Sequence, residues 1–252
     1  MKPDPASVLR QQLEYLRLPF IQAQYAEIAA EAARLQWDYP GYLCRLIEGE
    51  YLQRRQKCIE RCLKAARFPV LKTLDQFLWD WPKKINRLQV QNLFRLEFIA
   101  QKTNVIFLGT TGIGKTHLAT ALGYAACLEG HSVLFADAIA VVNDLTAAQK
   151  AGQLKSALKK YLRPQVVVLD EIGYLAIDQH GADLLFQVIS QRYERGSIIL
   201  TTNKPFKQWP SIFANDSTIA SAVLDRLLHH AETVLIEGRS YRMKDTTENG
   251  RT

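Results

Sequence analysis

The sequence predicts an α/β fold in which a mostly parallel sheet is flanked by helices and preceded by a small all-helical N-terminal domain. In residues 1–103 apolar side chains recur at intervals of three and four, which is typical of helices. From residue 104 short β-branched runs alternate with helical segments, and this alternation favours a parallel sheet. One run, residues 166–169, is entirely apolar, as expected for a strand covered on both faces.

The N-terminal part contains three predicted helices. Apolar residues at helical spacing mark the first two, and the pattern breaks at Pro40 and Gly41. A third helix is predicted over residues 42–67. The predicted organisation is a helical, basic N-terminal domain over residues 1–70, a connecting segment over 71–103 and an α/β domain over 104–252.

In the C-terminal part strands and helices follow one another in the order that strand–helix–strand units require. Pro164 and Gly196 end two of the helices, and Asp137 is placed to cap another. The predicted strands cover residues 104–108, 132–136, 165–169 and 197–202, and the predicted helices cover 116–129, 153–162, 181–195 and 220–229.

The composition excludes several classes of protein. With 48% apolar and 23% charged residues, the 252-residue chain can bury a sizeable core and is not disordered. A transmembrane helix needs about 18 consecutive apolar residues, and the apolar runs here are far shorter. The N-terminus has no signal-peptide core and no arginine-rich transit pattern. We therefore expect a soluble, cytoplasmic protein without a membrane partner.

Cysteine and histidine spacing does not favour a metal site. The four cysteines are too few and too scattered for a disulfide framework. Cys58 and Cys62 share a helix face and would supply half of a metal site, but no second pair stands at zinc-finger spacing, so buried, reduced thiols are favoured. Adjacent His229 and His230 are expected to point to different faces of a helix.

The net charge of +7 is concentrated in the N-terminal part. Residues 1–103 hold 17 Lys and Arg against 11 Asp and Glu, whereas residues 104–252 hold 15 against 14. Two interpretations of the basic residues on the third helix stand side by side: a solvated helix face, or contact with nucleic-acid phosphates. The candidate DNA-binding residues are Arg54, Arg55, Lys57, Arg61 and Lys64.

Residues 109–116 match the phosphate-loop pattern G-x-x-x-x-G-K-[ST] in full, after a predicted strand and before a predicted helix. The glycines allow backbone N–H groups to converge on phosphate oxygens, and the helix N-terminus adds partial positive charge. Lys115 is placed to reach the β- and γ-phosphates, and the Thr116 hydroxyl to ligate Mg²⁺. The predicted nucleotide-binding residues are Gly109, Thr110, Thr111, Gly112, Ile113, Gly114, Lys115, Thr116, His117 and Asp170.

Two acids, Asp170 and Glu171, follow the apolar strand that ends at residue 169. Asp170 is placed to hold Mg²⁺, and Glu171 to act as the general base that polarises the attacking water. A helix cap or a solvated strand edge is the alternative, and the phosphate loop earlier in the chain favours the catalytic pair. A glutamate directly after the aspartate favours a hydrolase over a kinase or a simple switch.

Three further residues are candidates for catalysis. Asn203 follows the strand over residues 197–202 and is predicted to orient the attacking water, with a turn-forming asparagine as the alternative. No arginine lies close in sequence to the phosphate loop. Arg226 is the first candidate, and Arg195 the second, for an arginine that completes a neighbouring subunit's site in trans.

These motifs resemble those of AAA+ ATPases, and within them the DnaC-like helicase loaders. The resemblance is narrower to the IstB type, the ATP-binding helper proteins of bacterial insertion sequences, and it extends over nearly the whole chain. The segments that carry it are residues 109–119, 169–171, 199–206 with Trp209, 224–230 and 236–242.

The resemblance implies an AAA+ P-loop NTPase that uses ATP and Mg²⁺. It further implies binding to duplex DNA in the ATP-bound form, assembly into homo-oligomers along the DNA, and stimulation of a partner transposase. By the same resemblance Asn203 is the nucleotide sensor, Arg226 is the trans arginine, and Arg242 is a second sensor.

Three functions are therefore compared. The first is a transposition helper, and the second is a replicative helicase loader whose N-terminal domain grips a protein ring. The charge distribution and the C-terminal motifs favour the helper. The third is a P-loop ATPase with an unrelated small-molecule substrate, and the sequence offers no second catalytic constellation for it.

Overall fold

The computed structural model describes residues 4–241 of a chain that divides into two compact units, residues 1–61 and 62–252. The first unit is helical, as predicted, and its last helix continues past the boundary. The helices of this unit are α1 (Pro5–Tyr15), α2 (Pro19–Leu35) and the greater part of α3 (Tyr39–Ala66).

The first unit has a small apolar core of its own. The Phe20 ring lies so close to the α3 backbone at Gly49 that an added Cβ would approach it within 1.9 Å. The break predicted at Pro40 and Gly41 lies at residues 36–38 instead, and Pro40 belongs to the first turn of α3, where the missing N–H of proline has no intrahelical partner. The buried core residues are Leu13, Ile21, Ile28 and Leu46.

The second unit is a five-stranded parallel sheet with helices on both faces, and its strand order is β2-β3-β4-β1-β5. Within residues 4–241, no helix is both long and apolar enough to cross a bilayer. The strands are β1 (Asn104–Gly109), β2 (Val133–Asp137), β3 (Val166–Ile172), β4 (Ser197–Thr202) and β5 (Ala231–Ile236). The helices are α4 (Arg87–Leu93), α5 (Glu97–Ala100), α6 (Lys115–Leu128), α7 (Ala138–Lys150), α8 (Leu154–Leu162), α9 (Gln179–Arg192), a 3₁₀ helix (Phe206–Ser211) and α10 (Ser217–Leu228).

Side chains of β3 alternate between two apolar layers. Val166 and Val168 pack in the layer that contains α6, whereas Val167 and Leu169 pack in the layer formed by α7 to α10. All four side chains are fully buried. The prediction of a strand covered on both faces is confirmed, and the sheet is the centre of a three-layer sandwich.

Two parts of the second unit differ from the predicted elements. The connecting segment, predicted over residues 71–103, contributes Phe77 and the short helices α4 and α5 to the layer that contains α6. β5 was not predicted, although burial there alternates, with Glu232 exposed and Val234 and Ile236 buried. It pairs in parallel with β1 and carries the chain back to the phosphate loop.

Candidate nucleotide-binding site

The phosphate loop joins the end of a buried strand to the first turn of a helix, as predicted. Gly112 and Gly114 have φ angles of 77° and 98°, a left-handed backbone that residues with a Cβ rarely adopt. A Cβ on Gly114 would lie 2.6 Å from the Phe77 ring. No side chain in the described part of the chain caps α6, so its first N–H groups remain suited to a phosphate.

Lys115 and Thr116 begin α6 and bond to different parts of the site. Lys115 Nζ donates to the Thr110 carbonyl oxygen at 2.7 Å, which holds the ammonium beside the phosphate loop. Thr116 Oγ1 lies 3.0 Å from each carboxylate oxygen of Asp170. The loop and the acidic strand end are thus brought together across 54 residues of sequence.

The two acids lie inside β3 rather than beyond its end. The pairing with β4 shifts register between Leu169 and Ile172, and Glu171 has a positive φ of 60°. This irregularity turns the Glu171 side chain outward, where it lines the adjacent cavity, while Asp170 remains 6% exposed. The register shift therefore leaves the Asp170 carboxylate buried and places the neighbouring Glu171 carboxylate at the cavity.

Thr201, a buried residue of β4 that our motif analysis assigned no function, joins the two acids. Its hydroxyl accepts from the Glu171 backbone N–H at 2.9 Å and donates to Asp170 Oδ1 at 2.5 Å. A single side chain thus orients the Asp170 carboxylate and holds the Glu171 backbone. Only the pairing of β3 with β4 reveals this contact.

Burial raises the pKa of the Asp170 carboxyl from its ordinary value. The hydrogen bonds from the Thr201 and Thr116 hydroxyls act in the opposite direction, as does the charge of Lys115. A carboxylate held beside a hydroxyl is an oxygen donor set of the kind that Mg²⁺ prefers. The chemistry of Thr116 and Asp170 therefore fits the predicted metal.

Asn203 follows β4 directly and lines the same cavity as Glu171. Its Oδ1 is buried and has no hydrogen-bond partner within the described residues. Buried polar atoms are normally paired, so this oxygen is suited to accept a hydrogen bond from a bound water or ligand. The structure thus brings Asn203 and Glu171 to one cavity, as a water-orienting pair requires.

The cavity has a volume of about 640 Å³, and its walls come mainly from three parts of the second unit, with Tyr241 as a further lining residue. The phosphate-loop wall consists of residues 111–117, and the catalytic wall includes Glu171 and Asn203. The third wall, residues 69–82, was not predicted from the sequence, although this segment is rich in aromatic residues and prolines.

His117 links the phosphate loop to this third wall. Its Nε2 lies 2.8 Å from the Thr73 carbonyl oxygen, and its ring packs edge-on against Phe77 with centroids 5.5 Å apart. Burial lowers the pKa of His117 from its ordinary value. A neutral ring with Nε2–H as the donor satisfies this contact.

The chain is similar to proteins of one family over almost its whole length. The profile of the family described as IstB-like ATP binding protein matches residues 11–249. The chain belongs to this family. The ATP-binding protein of insertion sequence IS21 from Pseudomonas aeruginosa is 40% identical over 94% of this chain and 89% of its own. That of IS5376 from Geobacillus stearothermophilus is 38% identical over 91% of each chain.

Solved structures agree with the fold of this IstB-like protein. The crystal structure of the DnaC helicase loader gives a TM-score of 0.52 at 22% identity, over 66% of this chain and 96% of that chain. AMPPCP-bound DnaA from Aquifex aeolicus gives 0.54 at 22% identity, over 70% and 54% of the two chains. The predicted AAA+ P-loop fold is confirmed. The IstB-like protein binds ATP and is an ATPase.

The two candidate trans arginines of the IstB-like protein lie outside the cavity. Arg226 Nη1 donates to the Ala222 carbonyl oxygen at 2.9 Å, and its guanidinium carbon lies 4.9 Å from the Phe186 ring centroid. Arg195 is exposed just beyond α9. Among the described residues that line the cavity, neither arginine occurs. Neither guanidinium therefore lines the cavity of its own chain.

The expectation that His229 and His230 point apart was wrong. α10 ends at Leu228, so the angular spacing of a helix does not apply, and the two rings lie 4.1 Å apart. His229 Nδ1 is 2.7 Å from the Tyr193 hydroxyl, and His230 Nε2 is 3.9 Å from Glu194. The pair therefore joins the ends of α10 and α9 at the exposed surface.

Arg54, one of the predicted DNA-binding residues, has a structural partner. Its Nε donates to Glu50 Oε1 at 3.0 Å, and its Nη2 donates to the Arg17 carbonyl oxygen. The buried Glu50 carboxylate also accepts from the backbone N–H groups of Phe20 and Ile21, at the start of α2. Arg54 thus balances a buried charge within the first unit.

The other predicted DNA-binding residues lie on the same helix. Arg61 Nε donates to the Lys57 carbonyl oxygen one turn earlier, at 3.2 Å. Arg55, Lys57, Arg61 and Lys64 are all exposed. The predicted second sensor, Arg242, lies outside the described residues.

Proposed function

We propose that this chain is an ATP-dependent, Mg²⁺-dependent helper ATPase of bacterial insertion-sequence transposition. The observation that carries the proposal is the family match over residues 11–249, together with relatives of 38–40% identity that are named for insertion sequences. In this proposal the protein multimerises on duplex DNA, selects or remodels the target, and stimulates a partner transposase.

The catalytic cycle begins with ATP bound at the α6 N-terminus. Lys115 exchanges the Thr110 carbonyl for phosphate oxygens. Thr116 and Asp170 would hold Mg²⁺, which would supply Lewis-acid stabilisation of the phosphates. Glu171 accepts the proton of the attacking water, and Asn203 Oδ1 accepts a hydrogen bond that orients it. The buried, unpaired Oδ1 of Asn203 supports this assignment.

Hydrolysis depends on assembly in this proposal. Arg226 lies outside its own cavity, in the last turn of α10. We assign it to the ATP of a neighbouring subunit, where a trans arginine stabilises the charge of the transition state. ATP hydrolysis then requires that a neighbouring subunit is in place to supply Arg226.

DNA binding is assigned to the exposed basic residues of α3. Lys57 and Arg61 are the strongest candidates because neither is committed to a buried carboxylate, in contrast to Arg54. Contacts to phosphates release counterions, so binding must weaken steeply as salt rises. Contacts of this kind fix the position of a protein on the duplex but carry no sequence information.

The test is duplex-DNA binding and particle size, measured in ATP, ADP and a non-hydrolysable ATP analogue across a salt series. Large, salt-sensitive assemblies with ATP but not ADP support the proposal. Replacing Lys57 and Arg61 by Glu should weaken binding and reduce the log–log salt slope by about 2. Reversing exposed Lys150 and Lys155 gives the same change in net charge and serves as the matched control.

A helicase loader is the alternative, since the chain shares its fold with the DnaC loader. A protein that stays small and ignores duplex DNA under every nucleotide would contradict the transposition helper. It would direct the search to a protein partner.

A further inference from the structure

The chain returns to the phosphate loop after β5. Residues 237–241, which we call the C-terminal strap, lie against the loop. The Thr110 hydroxyl donates to the Gly238 carbonyl oxygen at 3.3 Å, and the Tyr241 N–H donates to the Gly112 carbonyl oxygen at 2.8 Å. A Cβ on Gly112 would lie 2.1 Å from Ser240 Oγ. The strap and the phosphate loop are therefore in direct contact along most of the strap.

Trp81 of the third cavity wall holds the strap from the other side. Its indole Nε1 donates to the Arg239 carbonyl oxygen at 3.0 Å. Its ring packs edge-on against Tyr241, with centroids 5.2 Å apart at an angle of 88°. Both aromatic side chains line the cavity.

A second contact clips the start of the strap to the same segment. Lys84 and Glu237 exchange two backbone hydrogen bonds of 3.0 and 2.9 Å in an antiparallel bridge. Gly238 fits against the backbone of Pro82 and Lys83, where a Cβ would come within 3.1–3.3 Å. The strap is thus fixed at its beginning by this bridge and towards its end by Trp81.

The strap determines how one peptide of the phosphate loop is oriented. In a planar trans peptide the C=O and N–H groups point in opposite directions. Because the Gly112 carbonyl points to the strap, the N–H of Ile113 must point away from it. Phosphate binding by such a loop requires N–H groups, not carbonyl oxygens, to face the ligand.

We propose that Trp81 is a positioning residue for ATP: it fixes the C-terminal strap, and the strap fixes the Gly112–Ile113 peptide of the phosphate loop. Trp81 acts through the backbone of the strap. Its effect is therefore on nucleotide affinity, and the chemical step at Glu171 proceeds normally once ATP is bound. The inference concerns ATP binding alone and is independent of DNA binding.

The first test compares Trp81→Phe with Trp79→Phe. Trp81→Phe keeps an aromatic ring and removes the N–H that bonds Arg239. Trp79 packs on Phe77 and under Arg87 and does not line the cavity, so its replacement is the matched control. Trp81→Phe should weaken binding of a non-hydrolysable ATP analogue about five- to tenfold, the factor expected for one hydrogen bond. The turnover number at saturating ATP should stay within about twofold of wild type, and Trp79→Phe should bind normally.

Indole fluorescence supplies a readout that a purely structural residue would not affect. Nucleotide binding should change the emission of the wild type and of Trp79→Phe, and this response should be largely lost in Trp81→Phe. Unchanged affinity in Trp81→Phe, or a fall in turnover number without a change in affinity, overturns the proposal.

A backbone variant tests the strap directly. Tyr241→Pro removes the N–H that bonds Gly112, and it should weaken nucleotide binding to a similar extent as Trp81→Phe. Thermal unfolding measured alongside shows whether each variant is folded. A folded Tyr241→Pro protein with wild-type affinity excludes the strap as the intermediary.

Discussion

Thr201→Val isolates the contribution of one hydroxyl to catalysis. Valine has nearly the same shape as threonine, so the fully buried position remains filled. The substitution removes the acceptor of the Glu171 N–H and the donor to Asp170 Oδ1 at once. Glu171, the proposed general base, then loses a hydrogen bond at its backbone N–H. Asp170, the proposed metal ligand, loses one at its carboxylate.

The expected magnitudes follow from these two bonds. Leaving a buried polar group unpaired costs about 1–3 kcal/mol. In a domain of this size each kcal/mol shifts the unfolding midpoint by about 2–4 °C, so Thr201→Val should melt about 2–12 °C lower. Loss of a group that orients a metal ligand or catalytic residue lowers activity by about 10- to 100-fold.

The assay is steady-state ATP hydrolysis, with binding of a non-hydrolysable ATP analogue measured separately. Thr201→Ser keeps the hydroxyl and should restore most of the turnover, although it loses a methyl group from the core. Affinity for the analogue without Mg²⁺ should change little in either variant. If folded Thr201→Val turns over ATP within about twofold of wild type, the hydroxyl does not position Glu171 and Asp170.

Further predictions address the loop, the base, the trans arginine and acid stability. Lys115→Ala should weaken ATP binding by about 100-fold, and normal affinity would remove Lys115 from the site. Glu171→Gln should bind ATP normally but turn it over about 10²–10⁴-fold more slowly, and wild-type turnover would exclude it as the base. Arg226→Ala should impair only the assembled enzyme, and mixing it with Lys115→Ala subunits should restore activity unless the arginine acts in cis. A hydrogen bond from Tyr161 lowers the pKa of Asp144. The ionised Asp144 carboxylate therefore stabilises the folded protein fully above the ordinary pKa of 3.8, and this contribution is lost as the pH falls through the lowered pKa. Asp144→Asn should accordingly make the melting temperature fall less steeply at acid pH.

Local sequence predicted those features whose physical cause is local. The phosphate loop was found because its glycines, lysine and hydroxyl must be adjacent in the chain to surround a phosphate. The strand over residues 166–169 was found because burial on both faces leaves only apolar side chains. The Asp137 cap of α7 was predicted, and its carboxylate accepts from the N–H groups of Ile139 and Ala140.

Features that depend on distant contacts were missed. Thr201 reaches Glu171 across 30 residues, and Trp81 reaches Arg239 across 158. The basic residues of α3 looked alike in sequence, because Glu50, which binds Arg54, lies one turn earlier on the same helix, where such i,i+4 pairs are usually exposed. In each case the residue type alone gives no functional signal, and the role is recognised only from the residue that the side chain contacts in the fold.

The backbone angle at Glu171 implies a conflict between durability and activity. A residue with a Cβ in the left-handed region costs about 1–2 kcal/mol, and such residues persist only where their surroundings hold them. Glycine would relieve that cost but carries no carboxylate. Glu171→Gly would therefore make the protein more stable while removing its proposed general base. Selection for stability alone would thus favour loss of ATP hydrolysis at this position.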